Sequence, residues 1–367
     1  MRVFLATGEA SGDMLAAALA MKIRAFVPDA AFAGIGNERM AAAGVRLTAS
    51  TAGLGAMGPL EAARTIPKLF AIFVRHVLWL RLRPRDLVVL VDFGAFNLRF
   101  AGMLRACGYR RPILYLLPPG AWLDIEGQAR TVARRTVPLT AFVRQRDFYR
   151  SLGLEIAYFG HPLVSLVEPR AAREPAPRDG GTIALLPGSR RAEIARHLPR
   201  LLDACRLLRE RRPRASFVVS AADAEAEASI RRALPADAVP LAIVRGARAA
   251  LDVADAAWIA SGTAVLEAAL REVPSVALYV IAAAQVPLAK RIWNGRFITL
   301  PNILLDRAVV PELLQDDATP ERLADALEGV LEDPASQLAG LRDVRSQLGA
   351  PDALERCAAF AVALART

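Results

Sequence analysis

The chain reads as an α/β protein of two Rossmann-like, doubly wound domains facing a cleft, and three observations predict it. Its 367 residues are too many for one ordinary compact core and suit two domains of average size. Short apolar runs alternate with longer stretches of helical spacing, the pattern of parallel strands covered on both faces by helices. That alternation collapses once into Pro, Arg and Gly, around Glu168–Gly181 (EPRAAREPAPRDGG), and then restarts. The expected division is therefore 1–170, 171–345 and a C-terminal helix within 346–367 that packs back toward the first domain.

Element by element, Arg2–Thr7 reads as a strand and Asp13–Phe26 as a helix with Ala, Leu and Met at helical spacing. Ala31–Gly36, Asp86–Asp92 and Pro112–Leu117 are further strands. Beyond the break the series runs strand Thr182–Leu186, helix Ala192–Glu210, strand Ser216–Ser220, helix Ala224–Leu234 and strand Leu241–Val244. A short helix near Ala247–Val253, strand Ala256–Ala260, helix Ala264–Arg271 and strand Ser275–Tyr279 follow, and helices fill the remainder.

Composition narrows the function classes. With 54% apolar and 23% charged residues the chain is neither disordered nor collagen-like. Lys+Arg 47 against Asp+Glu 37 gives a net charge of +10, nearly all of it from Arg, the lysines being Lys22, Lys68 and Lys290. A basic balance favours an anionic partner. No nucleic-acid-binding module is recognisable, so no nucleic acid is expected. Three scattered cysteines (Cys107, Cys205, Cys357) and three histidines (His76, His161, His197) form no metal-ligand spacing, so no metal is expected, and a reducing cytoplasm is the default. No cleavable leader is expected at Met1–Ala6, and no run reaches the roughly 20 apolar residues of a membrane span.

In open α/β sheets ligands bind beyond the carboxyl ends of the strands, which singles out four loops. Gly8-Glu9-Ala10-Ser11-Gly12-Asp13 follows the first strand. Its glycines permit close backbone approach, and Ser11 or Asp13 can cap the helix; a plain strand–helix turn would look similar. Gly188-Ser189-Arg190 offers amide, hydroxyl and guanidinium donors to phosphate oxygens, a solvated Arg190 being the bland alternative. Ser261-Gly262-Thr263 opens a helix whose amides and dipole suit an anion, with Glu267 one turn further on; a capped core helix is the other reading. Asp92, at the end of the apolar run Leu87–Val91, suits a general base of raised proton affinity, or else a turn former. His161 reads equally as a hydrogen-bonded interdomain histidine or a catalytic one. Residues 64–85 combine an apolar stripe (Leu69, Phe70, Phe73, Val74, Val77, Leu78) with Arg64, Lys68, Arg75, Arg81, Arg83 and Arg85, the composition of a helix on an anionic membrane surface.

The ordered series of these loops, with Ala56-Met57-Gly58, Phe96-Asn97-Leu98, Gly160-His161-Pro162-Leu163, Leu300-Pro301-Asn302 and Glu312-Leu313-Leu314-Gln315, resembles the lipid-A-disaccharide synthase family from about residue 3 to about residue 330. The resemblance implies a GT-B glycosyltransferase, peripheral on the cytoplasmic face of the inner membrane. Such an enzyme joins UDP-2,3-diacylglucosamine to 2,3-diacylglucosamine 1-phosphate, giving the lipid A disaccharide 1-phosphate and UDP. It implies Asp92 as the base and Arg190 as an essential arginine. Asn302 and Gln315 would lie on the nucleotide side with Gly188, Ser189, Ser261, Gly262, Thr263 and Glu267. Gly8, Glu9, Ser11, Gly12, Asp13, Met57, Asn97 and His161 would lie on the acceptor side. No cofactor is implied, and a homodimer stays open. The family pattern is altered at Phe93-Gly94-Ala95, at Leu117–Asp124 and at Val143-Arg144-Gln145, all in the first domain, where such folds bind acceptors. An altered-acceptor or non-catalytic UDP-sugar-binding paralogue and a UDP-sugar 2-epimerase are the alternative readings.

Overall fold

The computed structural model describes residues 1–51, 59–120, 124–171, 176–287, 291 and 295–367, with side chains throughout that set except those of 59–65. The chain divides into two units, the first made of Met1–Leu166 and Leu348–Thr367, the second of Val167–Gln347.

In the first unit the strands are β1 (Arg2–Ala6), β2 (Ala31–Gly36), β3 (Arg46–Ser50), β4 (Leu87–Val91), β5 (Ile113–Leu116), β6 (Val137–Thr140) and β7 (Ala157–Tyr158). They pair in the order β3-β2-β1-β4-β5-β6-β7, every described pairing parallel. Alternation along each strand decides which helix layer it meets. Val3, Leu5, Val89 and Leu114 face the helices Ala10–Phe26 and Ala353–Ala365, the latter contributing Leu354, Cys357, Ala358 and Ala361. Phe4, Val88, Leu90 and Tyr115 face the other way, against Val77 and Leu80 of the helix Pro59–Leu82 and Phe100 and Leu104 of Gly94–Ala106.

The second unit holds β8 (Gly180–Leu186), β9 (Arg214–Ala221), β10 (Leu241–Arg245), β11 (Ala256–Ala260), β12 (Ser275–Tyr279) and β13 (Glu312–Leu314), ordered β10-β9-β8-β11-β12-β13 and again parallel. One face packs on the helices Arg191–Arg211, Ala224–Ala233 and Pro320–Glu332 around buried Trp258, whose indole N–H donates to the Leu323 carbonyl at 2.9 Å. Within each unit the strand order reverses beside the first strand, between β1 and β4 and between β8 and β11. Both units thus share one doubly wound topology, although the sequence contains no detectable repeat.

Four strands escape the apolar-run pattern. β3 (RLTAS) is a half-polar edge strand, β6 (VPLT) carries Pro138, and β7 has only two residues. β13 lies in the stretch expected to be all helix, a three-residue edge strand that opens on the polar Glu312. β3, β7 and β13 lie at sheet edges, where pairing on one side only leaves no need for a continuous apolar run, and in β6, which is paired on both sides, Pro138 interrupts it.

Candidate functional site

In each unit the crevice outside a strand-order reversal is where an open α/β sheet binds ligands. The first unit's reversal puts the turn after β1 and the helix start that follows it, with Gly8, Glu9, Ser11, Gly12 and Asp13, beside the turn after β4 and its helix start, with Asp92 and Asn97. Asp92 and Phe93 are consecutive non-glycine residues in the left-handed region, at φ 49° and 53°. Such residues cost on the order of 1–2 kcal/mol each and persist where their surroundings over-determine them. Here they do. The Asp92 N–H donates to the Leu116 carbonyl at 3.0 Å, and its carbonyl accepts from Asn97 Nδ2 at 2.8 Å and from the Tyr115 hydroxyl at 3.0 Å. Asp92 itself is half-buried.

Asn97 is fully buried, and its amide also reaches the carbonyls of Ala6 and Val91, tying the carboxyl ends of β1 and β4 together. It positions Asp92's backbone. Tyr115 carried no sequence signal beyond an apolar strand; burial first and then the Asp92 charge push its hydroxyl pKa up, so it stays a neutral donor. Gly8 is required by proximity: a Cβ there would stand 2.3 Å from the Phe93 ring, so the two loops touch only because the position has no side chain.

One sequence expectation, the capping role of Ser11 or Asp13, is corrected here. Neither Ser11 nor Asp13 caps its own helix; Glu9 is the N-cap and makes no side-chain capping bond. Asp13 instead accepts from the amides of Asn37 at 2.7 Å and Arg39 at 2.9 Å, capping the next helix, Glu38–Ala42. Burial raises its pKa against those two hydrogen bonds. His161 is buried and its Nδ1 accepts from the Leu163 amide at 3.1 Å, which fixes a neutral, Nε2-protonated ring; desolvation lowers its pKa to about 4. It caps a 3-10 turn, Pro162–Ser165. Met57 lies outside the described residues.

The stretches altered from the family pattern meet one another. Gln145 is buried, donates to the carbonyls of Pro118 and Pro119 at 3.2 Å each, and accepts from the Thr140 hydroxyl at 2.6 Å. Arg144 pairs with Asp124 at 2.6 Å, and a Cβ on Gly94 would lie 2.9 Å from Pro119.

In the second unit the reversal joins the loop after β8, with Gly188, Ser189 and Arg190, to the loop after β11, with Ser261, Gly262 and Thr263. Gly262 is the N-cap of the helix Thr263–Leu270 and, as glycine, supplies no side-chain cap to that start. Its first amides remain directed along the helix axis toward the strand ends, with Thr263 and Glu267 half-exposed beside them. Gln315 follows β13 at φ 53° and accepts from the Ile281 amide at 3.3 Å. The Ser261 hydroxyl donates to the Ile298 carbonyl at 3.4 Å.

Asn302 sits deeper than expected. It is fully buried, with Nδ2 donating to Val310 O and Glu312 Oε1 and Oδ1 accepting from the amides of Val309 and Val310, all at 2.8 Å. An amide so saturated orders the chain around it and offers no donor to a ligand. Glu312 completes that knot by accepting from the amides of Ile298 and Thr299 and from the Thr299 hydroxyl. Sequence reasoning also missed Glu193 and His197, which hold the loop after β8 from the helix that follows it. Among the described residues no cluster of His, Cys, Asp and Glu has the makings of a metal site.

The family model for lipid-A-disaccharide synthetase matches residues 3–355. The chain is similar to the lipid-A-disaccharide synthase of Myxococcus xanthus (strain DK1622), 36% identical over 370 residues, covering 97% of this chain and 96% of that protein. In fold it is similar to UDP-GlcNAc 2-epimerase of Methanocaldococcus jannaschii, with TM-score 0.64, 12% identity and coverage of 99% of this chain and 100% of that one. It is likewise similar to MurG of Acinetobacter baumannii, with TM-score 0.57, 16% identity and coverage of 99% of each. At such identities the structural likenesses establish only two parallel-sheet α/β units of GT-B type. The sequence match spans both strand-order reversals and their loops and carries more: the chain belongs to the lipid-A-disaccharide synthetase family.

Proposed function

We propose that the chain is an inverting glycosyltransferase that joins UDP-2,3-diacylglucosamine to 2,3-diacylglucosamine 1-phosphate, forming the lipid A disaccharide 1-phosphate and UDP. The observation that carries this reading is the family match along residues 3–355, which includes the locked Asp92 and both loops of the second unit's reversal. Asp92 takes the proton from the acceptor's primary hydroxyl. The resulting oxygen attacks the anomeric carbon in line, the bond from that carbon to the diphosphate breaks, and UDP leaves with the electron pair. Charge growing on the diphosphate is met by the start of the helix Thr263–Leu270 and by Arg190, and Glu267 faces the ribose. Preorganised donors of this kind are typically worth about 3 kcal/mol each, and general-base catalysis about 10²–10⁴-fold. No cofactor takes part in this chemistry.

The same reading places the protein peripherally on an anionic membrane, the cytoplasmic face of the inner membrane, through the helix Pro59–Leu82. Among the described residues no helix is long and apolar enough to cross a membrane. The decisive experiment supplies purified protein with both diacylated substrates and follows disaccharide and UDP. Stoichiometric formation of the two supports the proposal. UDP binding without transfer to any acylated glucosamine phosphate would leave a sugar-nucleotide-binding relative instead.

A further inference from the structure

Glu193 and His197 stand one turn apart on the helix Arg191–Arg211, and both reach back onto the loop that precedes it. Glu193 Oε2 accepts from the amides of Ser189 at 3.2 Å and Arg190 at 3.3 Å, while its Oε1 takes a guanidinium hydrogen bond from Arg190 Nη1 at 2.8 Å. His197 is completely buried; its Nδ1–H donates to the Pro187 carbonyl at 2.7 Å, and its Nε2 accepts from the Val280 amide at 3.0 Å. Gly188, at φ 112°, makes the approach feasible, because a Cβ there would come within 2.5 Å of Glu193 Oε2. The polar backbone of the loop is thus gripped from one helix face and, through His197, moored to the segment just after β12.

We propose that Glu193 and His197 are positioning residues for nucleotide-sugar binding: they clamp Pro187–Arg190 and aim the Arg190 guanidinium, so that the loop is preorganised before a diphosphate arrives. This rests on the donor-side reading of the second unit given above. A carboxylate beside a diphosphate site would ordinarily repel the ligand. Glu193 does not act as a bare charge, since two amides and a guanidinium already compensate it. Its role is geometric, holding one edge of the Arg190 fork so that the rest of it has a fixed direction. Preorganisation of this kind lowers the ordering cost of binding. It should therefore be read in ligand affinity rather than in the chemistry at Asp92.

The test measures UDP affinity by calorimetry, together with donor and acceptor KM and kcat, on the full chain. Losing a hydrogen bond to a charged group is worth about 10–100-fold, so Glu193→Ala is expected to weaken UDP by that factor, with acceptor KM within about two-fold of the parent. Glu193→Gln keeps an acceptor for the loop amides and loses the ion pair, so it should fall between. The double variant Arg190→Ala/Glu193→Ala should bind more weakly than Arg190→Ala alone, but by a smaller factor than Glu193→Ala costs in the parent, because part of the clamp acts through that arginine and the rest through the amides of Ser189 and Arg190. For His197 the isosteres separate the two bonds: Asn keeps the donor toward Pro187, and Gln keeps the acceptor toward Val280. UDP should bind His197→Asn more tightly than His197→Gln, since the Pro187 bond is the one that holds the loop. If Arg190→Ala weakens UDP while Glu193→Ala and Glu193→Gln bind it as the parent does, the clamp is overturned and the donor-side reading stands. If Arg190→Ala leaves UDP binding unchanged, both fall. A uniform shift in both KM values and kcat, tracking a lower melting temperature, would reduce Glu193 and His197 to structural residues and also overturn the proposal.

Discussion

Two left-handed residues in a row are an unusual way to leave a strand, and at Asp92–Phe93 they fix where a carboxylate can be. Its backbone is held by Leu116, Asn97 and Tyr115, so replacing the carboxyl by an amide leaves every one of those bonds in place. Asp92→Asn is therefore expected to fold normally and bind UDP as the parent does, while turnover falls at least 10²–10⁴-fold, the usual worth of a general base. Retained turnover in a single-turnover assay would remove Asp92 from the base role. The neighbouring glycine tests the other side of the same contact. In Gly8→Ala the new methyl must displace the Phe93 ring, an overpacking cost of about 1–3 kcal/mol seen as a lower denaturant midpoint. Adding Phe93→Ala should return part of that loss, because the clash then has no partner. The altered family positions meet in two places: Gln145 bonds the Pro119 carbonyl, which lies beside Gly94, and Arg144 pairs with Asp124.

At the scale of elements, the helix Pro59–Leu82 separates what sequence periodicity merged. The apolar stripe read from residues 64–85 is in fact two faces. Leu69, Phe73 and Val77 pack into the core of the first unit, Val77 being 3% exposed. Ile66, Phe70, Val74, Leu78 and Leu82 recur every fourth residue on the outside, with Phe70 66%, Leu78 56% and Leu82 79% exposed. Exposed apolar side chains in a continuous row, flanked by Arg75 and Arg81, suit burial in an acidic lipid surface. Phe70→Asp with Leu78→Asp should abolish sedimentation with anionic vesicles while preserving turnover on short-chain substrates in detergent, and high salt should release the parent protein. Unchanged vesicle binding by that double variant would put the contact elsewhere. Leu80→Ala, in the core, should instead destabilise the fold by about 2–5 kcal/mol. What the sequence revealed follows the same division. Strands such as Leu87–Val91, apolar on both faces, and helices such as Ala247–Val253 were legible because burial writes itself as composition. The loops after β1, β4, β8 and β11 were legible because glycine and Asp mark chain reversals. β3, β7 and β13 were not, since an edge strand is defined by its neighbour's hydrogen bonds rather than by its own side chains. Nor were the partners of Asp13, Asn302 and His197, which are decided by residues 24, 10 and 83 positions away in Asn37, Glu312 and Val280.

Across the whole molecule the histidines are expected to set a common acid limit on stability. All three are affected alike: desolvation lowers the pKa of His76, His161 and His197, the first two in the first unit and the third in the second. A histidine whose folded pKa lies below its unfolded value binds more protons when unfolded. Its contribution is fully present above the unfolded pKa of about 6.5 and disappears as pH falls toward the folded value. For His161, lowered to about 4, that window amounts to about 3 kcal/mol between pH 6.5 and pH 4. His76 and His197 act in the same direction. Asp13 acts in the opposite sense: its raised pKa means that the folded state binds the proton more tightly, so acidification offsets a part of the loss just above its ordinary value of 3.8. The first unit, with two of the three histidines, should therefore lose protection first. Amide hydrogen exchange followed from pH 7.5 to pH 4.5 is expected to accelerate earlier in β4 and β5 than in β8 and β11. His161→Asn keeps a side-chain acceptor for the Leu163 amide but cannot titrate, so it should flatten the pH dependence of the first unit and leave that of the second unchanged. Equal acceleration of both sheets in the parent, or a pH profile unaltered by His161→Asn, would mean that the acid limit is set by other groups.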